Sequence, residues 1–222
     1  QGDDILLTVI GRHGSCVTMA ADGATFCWGQ QTGNRERPSS PTPVAVEGIV
    51  GATSVVLGHH HRCVLTPEDG AVYCWGDNDH GQLGNGSLVS SLVPVQVPDL
   101  PPAERISASG NHTCITTPEE PARAFCWGDN SVGQLGMGDT IDRPSPIPRE
   151  SPLVLNPTLV RWPAAKRIVP AAKHTCGRTQ GDRRLVCWGD NSWGQLGDGT
   201  TTSRHTPAIV DAVDETPVGY PG

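Results

Sequence analysis

The chain has 222 residues and a net charge of −7, with 27 glycines and 20 prolines. That glycine and proline load excludes long helices, whose interiors those two residues disfavour most. The acidic balance, with Lys166 and Lys173 as the two lysines, argues against a general binder of phosphate backbones. At this length one all-β domain can bury a substantial core, and no run approaches the ~20 apolar residues that a helix needs to cross a bilayer.

In chain order, residues 1–222 read as a single domain of four units. The first, residues 4–46, opens with the β-branched run ILLTVIG, continues through a strand bearing Cys16, and returns as Phe26-Cys27-Trp28-Gly29. It leaves by the loop QQTGNRERPSS and closes on Pro43–Val46. The second, residues 49–97, repeats that order with TSVVLG, Cys63, and Tyr73-Cys74-Trp75-Gly76. Its loop is DNDHGQLGNG, and its closing segment is Pro94–Val97. The third, residues 104–148, has RISASG, Cys114, Cys126-Trp127-Gly128 and the loop DNSVGQLGMG. A proline-rich connection from Ser145 to Pro163, carrying Trp162, leads to the fourth unit at residues 165–210. That unit has RIVPAA, Cys176, Cys187-Trp188-Gly189 and the loop DNSWGQLGDG, and a tail at 211–222 follows. Three or four short strands per unit and no helix make an all-β array with a period near 50 residues, which points to propeller blades or solenoid coils.

The eight cysteines fall as Cys16/Cys27, Cys63/Cys74, Cys114/Cys126 and Cys176/Cys187, each pair 11 or 12 positions apart. In CVLTPEDGAVYC a loop at Pro67–Gly70 closes a hairpin in which Val64 faces Tyr73, Leu65 faces Val72 and Cys63 lies across from Cys74. Opposed residues on antiparallel strands have Cβ atoms ~4.5 to 5.5 Å apart, near the separation in a disulfide. Zinc is the competing reading, because His61, His112 and His174 each stand two residues before a cysteine, but no compact CxxC spacing accompanies them. Free thiols are the third. Four matched pairs fit an oxidising compartment best, so the expected setting is extracellular, cell-surface or periplasmic. The chain starts at Gln1 without a charged-then-apolar leader, as a processed product would. Asn85 and Asn111 begin N-x-S/T sequons.

The combination HxC, CWGxNxxGQLGxG and a closing PxxV resembles the regulator of chromosome condensation repeat family, whose members are β-propellers of seven blades. The resemblance runs from about Asp4 to Val210. The first copy departs from it: its loop lacks GQLG, and Gly14 stands where the others have histidine. The resemblance implies blades, with Leu83, Leu135 and Leu196 plugging the seams between them and Trp75, Trp127 and Trp188 covering those seams. The loop glycines Gly81, Gly84, Gly133, Gly136, Gly194 and Gly197 permit the tight reversal. The Asp/Asn pairs at 77/78, 129/130 and 190/191 can hold each loop through their own backbone. Calcium is not expected at DNDxG, since a downstream bidentate carboxylate is lacking, and no metal or cofactor site is assigned.

Four blades of a seven-blade shape leave two apolar faces bare, which invites association. The array is then a fragment, a half completed by a partner, or an unusually small closed ring; pairing of Ile5–Val9 with Ala208–Val213 marks the ring. The sequence holds no GxSxG elbow, phosphate loop or HExxH, and adjacent His59, His60 and His61 cannot all face one site on a strand. The expectation is a non-catalytic protein-binding module. The alternative is a structural subunit that associates with further copies of itself through its open faces, and a nucleotide-exchange factor or a hydrolase ranks below both. The expected partner is a protein or a second copy, with no nucleic acid and no membrane insertion. The slot before GQLG holds His80, Val132 or Trp193 in otherwise constant frames, and these three, with Trp162, are the candidate partner-binding residues. Residues Arg149 to Arg184 carry net charge +6 against −13 on the remainder, an asymmetry that can steer an acidic partner.

Overall fold

A computed structural model describes residues 4–11, 13–30, 39–118, 122–148, 165–179 and 184–210. Within them sixteen strands form four antiparallel sheets. The first sheet comprises β1 (Ile5–Ile10), β2 (Gly14–Met19), β3 (Thr25–Gly29) and β4 (Ser40–Ala45). The second comprises β5 (Ser54–Leu57), β6 (His61–Leu65), β7 (Val72–Gly76) and β8 (Ser91–Gln96). The third comprises β9 (Arg105–Ser109), β10 (His112–Thr116), β11 (Ala124–Gly128) and β12 (Arg143–Pro148). The fourth comprises β13 (Ala165–Pro170), β14 (His174–Thr179), β15 (Leu185–Gly189) and β16 (Arg204–Ile209). Each sheet is a meander in which neighbours in sequence are neighbours in space, the connection that short antiparallel turns favour.

The hairpins set the register. Val64 pairs with Tyr73, Leu65 with Val72, and Cys63 with Cys74; the same placement opposes Cys16 to Cys27, Cys114 to Cys126 and Cys176 to Cys187. All four pairs are disulfide-bonded, with Cα atoms 4.1 to 4.2 Å apart, so neither zinc nor free thiols account for them. The glycine of each CWG has a second role that the sequence did not announce. Gly29, Gly76, Gly128 and Gly189 all have φ between 86° and 114°, and a Cβ at any of them would run into the backbone just before the HxC strand. There the ladder to the fourth strand slips by two residues, the fourth strand advancing four positions against two of the third, so the strand bulges locally. The fourth strands hold prolines such as Pro41, Pro43, Pro94, Pro144, Pro146 and Pro207, tolerated because these strands lie at a sheet edge.

The sheets stack face to face in series. First strands pack on first strands, β1 on β5, β5 on β9 and β9 on β13, so they line the axis and the fourth strands lie outermost. One cluster joins Cys63, Leu65, Val72 and Cys74 of the second sheet to Ile115, Phe125 and Trp127 of the third through Leu83. Leu135 sits likewise between the third sheet and Ile168 of the fourth, and Trp75 packs in the seam holding Cys16 and Cys27. Among the described residues β1 is bonded only to β2 and β16 only to β15, so no strand pairing closes the four blades into a ring.

Candidate functional site

Each DNxxGQLGxG loop is built around its asparagine. Asn78, Asn130 and Asn191 are fully buried. Each accepts through Oδ1 a hydrogen bond of 2.9 Å from the leucine five residues on, Leu83, Leu135 or Leu196. Each donates through Nδ2 to the far limb of the loop: Asn78 to the Ser87 and Val89 carbonyls, Asn130 to the Asp139 carbonyl, and Asn191 to those of Thr200 and Thr202. The glutamine of GQLG turns its side chain back to accept from the slot residue, so the His80, Val132 and Trp193 N–H groups are fixed by Gln82, Gln134 and Gln195 at 2.8 to 3.0 Å. The slot side chain is free to vary because its backbone is not.

The main chain of the same glutamine makes the seam. Trp127 Nε1 donates to the Gln82 carbonyl at 2.9 Å, and the Thr113 hydroxyl donates to it at 3.3 Å. The next seam repeats this, with Trp188 Nε1 and the Thr175 hydroxyl donating to the Gln134 carbonyl at 2.7 and 2.8 Å. Since each threonine hydroxyl donates there, it accepts from the preceding blade's histidine: His61 Nε2 reaches Thr113 at 2.8 Å and His112 Nε2 reaches Thr175 at 2.9 Å. Burial, reinforced by the nearby His112, His59 and His60, lowers the His61 pKa to about 3, which keeps the ring neutral with its proton on Nε2. The histidine of HxC is a structural donor between blades.

The first seam is solved differently. Arg62 stands where Thr113 and Thr175 stand, and its guanidinium donates to the Gln30 carbonyl. A Cβ on Gly14 would lie 2.6 Å from Arg62 Nη2. Glycine at the histidine position of the first blade therefore makes room for arginine at the threonine position of the second. Burial lowers the Arg62 pKa to about 10, which leaves it charged at neutral pH.

The three slot side chains meet different surroundings. His80 Nδ1 lies 2.7 Å from Asp142 and 4.0 Å from Asp129, so this slot is tied to the next blade. Among the described residues this is the group of His, Asp, Glu or Cys whose ligand atoms fall within 4.8 Å of one another; Asp142 also accepts from the Asn130 N–H at 2.7 Å. Val132 is half-buried. Trp193 is 91% exposed. Trp162 and residues 149–163 of the long connection lie outside the described residues, as does the tail. Elsewhere on the fourth blade Arg167, Lys173, Arg178 and Arg184 are exposed. The three adjacent histidines diverge: His61 enters the seam, whereas His60 stacks on His13 with ring centroids 5.4 Å apart and His59 meets His60 edge-on. Asn85 Oδ1 accepts from Asn78 and from the Ser87 hydroxyl.

Comparison with known proteins agrees with this construction. The regulator of chromosome condensation (RCC1) repeat matches residues 52–82, 69–116, 122–179 and 184–218. The chain belongs to the regulator of chromosome condensation repeat family. It is 30% identical over 139 residues to the ultraviolet-B receptor UVR8 of Arabidopsis thaliana, covering 60% of this chain and 28% of that one. It is 27% identical over 212 residues to the human E3 ubiquitin-protein ligase HERC2, covering 91% of this chain and 4% of the ligase. Yeast RCC1 (Prp20) in complex with Kap60 superposes with a TM-score of 0.76 at 18% identity, over 96% of this chain and 50% of that one. This chain thus spans less than a third of those curated relatives and half of a solved propeller of the same fold. Its four cystine-bridged hairpins place a covalent clip inside every blade.

Proposed function

We propose that this chain is a non-catalytic protein-interaction module that works in an oxidising setting, outside the cell, on its surface or in a periplasm. Its loop face engages a protein partner through Trp193. The exposed indole carries this reading: it is held by a backbone N–H bonded to Gln195 and by a loop tied at Asn191, so it is presented with little freedom to lose on binding. The four cystines support the compartment. The basic surface of the fourth blade favours an acidic partner.

Two measurements test it. Intact mass of the secreted or surface-extracted protein, with and without reductant, is expected to differ by two hydrogens per disulfide; an unchanged mass overturns the compartment. A protein captured on the immobilised chain is expected to dissociate at least about 30-fold faster from Trp193→Ala, the scale of an interface hot spot. Equal capture by both forms removes Trp193 from the site.

A further inference from the structure

We infer that the open face of the fourth blade is a seat for the first blade of a second copy of this chain, joined head to tail by the hydrogen bonds that join the blades inside one copy. The inference deepens the self-association reading and is independent of the loop-face site.

The argument is one of equivalent positions. In the two complete seams the histidine and the glutamine of the earlier blade are at most 1% exposed, as His61 with Gln82 and as His112 with Gln134. The fourth blade repeats these groups as His174 and Gln195, and both are half-buried. A Cβ on Gly84 would lie 2.6 Å from Trp127 Nε1, whereas a Cβ on Gly197 would meet only Val210 of its own blade, at 3.1 Å. Among the described residues, the place that an indole fills over Gly84 is open over Gly197. Gly86 N donates to the Pro144 carbonyl and Gly138 N to the His205 carbonyl, both at 2.8 Å across a seam. Gly199, the third of that set, has no atom of the described residues within 4 Å of its Cβ position.

The other end of the chain carries the complement. Ser15 occupies the position of Thr113 and Thr175 and keeps the hydroxyl, Trp28 occupies that of Trp127 and Trp188, and Pro41 occupies that of Pro144 and His205. Ser15 and Trp28 are half-buried where their counterparts are fully buried. Laid on the fourth blade of a second copy in the register of the two complete seams, Trp28 Nε1 and the Ser15 hydroxyl donate to the Gln195 carbonyl. The Ser15 hydroxyl then accepts from His174 Nε2, and the Pro41 carbonyl accepts from Gly199 N. Such a contact is heterologous, since each copy offers a different surface. The occupant is a second copy because the chain itself holds a blade with all three groups in that register, Pro41 exposed and Ser15 and Trp28 less buried than their counterparts.

The test is the mass of the oxidised 222-residue chain by sedimentation over a range of concentration. Self-association above the 23.4 kDa of one copy is expected below about 100 µM, the weak end of specific affinity. Ser15→Asp puts a carboxylate against the Gln195 carbonyl and is expected to weaken association at least about 30-fold, as loss of a hot spot does. Trp28→Ala is expected to do the same while far-UV circular dichroism and four intact disulfides show that it folds. A chain that stays single up to that concentration overturns the inference and leaves the face to further blades of a longer polypeptide or to an unrelated partner. Association that survives both variants also overturns it, by placing the contact elsewhere. Trp193→Ala serves as the control: loss of a captured partner with self-association intact separates this contact from the loop-face site.

Discussion

Asn78, Asn130 and Asn191 explain at the scale of one side chain why the DNxxGQLGxG loop recurs. Only an amide offers an acceptor for the leucine N–H and two donors for the far limb of the loop from one rigid group, and at a fully buried position every unmade bond is costly. Asn130→Ala should lower unfolding free energy by about 2 to 3 kcal/mol in urea titration, because Leu135 N and the Asp139 carbonyl lose their partner in a buried loop. Asn130→Asp keeps the acceptor for Leu135 but sets a buried carboxylate against the Asp139 carbonyl and carboxylate, and should cost at least as much. Gly14 and Arg62 give a second test. Gly14→His alone crowds the guanidinium and should destabilise, as should Arg62→Thr through loss of the bond to Gln30. Combined, the two recreate the His–Thr pair of the later seams, and a double-mutant cycle should show favourable coupling of about 1 kcal/mol or more. Additive effects would show that the two positions do not communicate.

At the scale of the hairpin, each cystine closes a loop of 11 or 12 residues at the point where β-pairing has already brought the chains together. Replacing Cys63 and Cys74 together by alanine should cost about 2 to 4 kcal/mol, read as a lowered urea midpoint. The seam histidine His61 predicts a pH dependence of definite sign. His61 has a pKa of about 3 folded against 6.5 in its ordinary state, so between those values the unfolded chain holds more protons and stability falls as pH falls. Thermal midpoints should therefore drop from pH 6.5 to pH 5, above the range where ordinary carboxylates titrate, and His61→Gln should flatten that slope. These elements also show what the amino-acid order discloses. The disulfides and the Val64–Tyr73 register were legible because a four-residue turn leaves one way to fold the hairpin. The slip in each third-to-fourth ladder was not, since only the positive φ of the CWG glycine reveals it. The bond from Thr113 to Gln82 was hidden for another reason: it joins residues 31 positions apart in different repeats, and no local periodicity marks the threonine between His and Cys as anything but a strand residue.

At the scale of the whole molecule the array behaves as a one-dimensional stack, each blade held by its neighbours. The two central sheets have a neighbour on both sides, so amides of β6, β7, β10 and β11 should exchange with deuterium more slowly than those of β2, β3, β14 and β15. Self-association in the manner inferred above should raise protection selectively in β2, β3, β14 and the loop at Gly194–Gly199. The number of blades could be read from the sequence, and so could the likelihood of bare faces. Which atoms those faces offer could not, because His174 and Gln195 look the same in sequence as their buried counterparts. Trp193, singled out as the odd member of a variable slot, does stand in solvent.

The prolines of the outermost strands bear on how such an array grows. A ribbon edge extends when a foreign segment can exchange main-chain hydrogen bonds with it, and Pro41, Pro43, Pro94, Pro144, Pro146 and Pro207 deny the N–H half of that exchange around the rim. Accretion from the periphery, the usual route from exposed sheet margins to amyloid, is thereby blunted. Any enlargement of the particle is channelled around its circumference, one wedge after another.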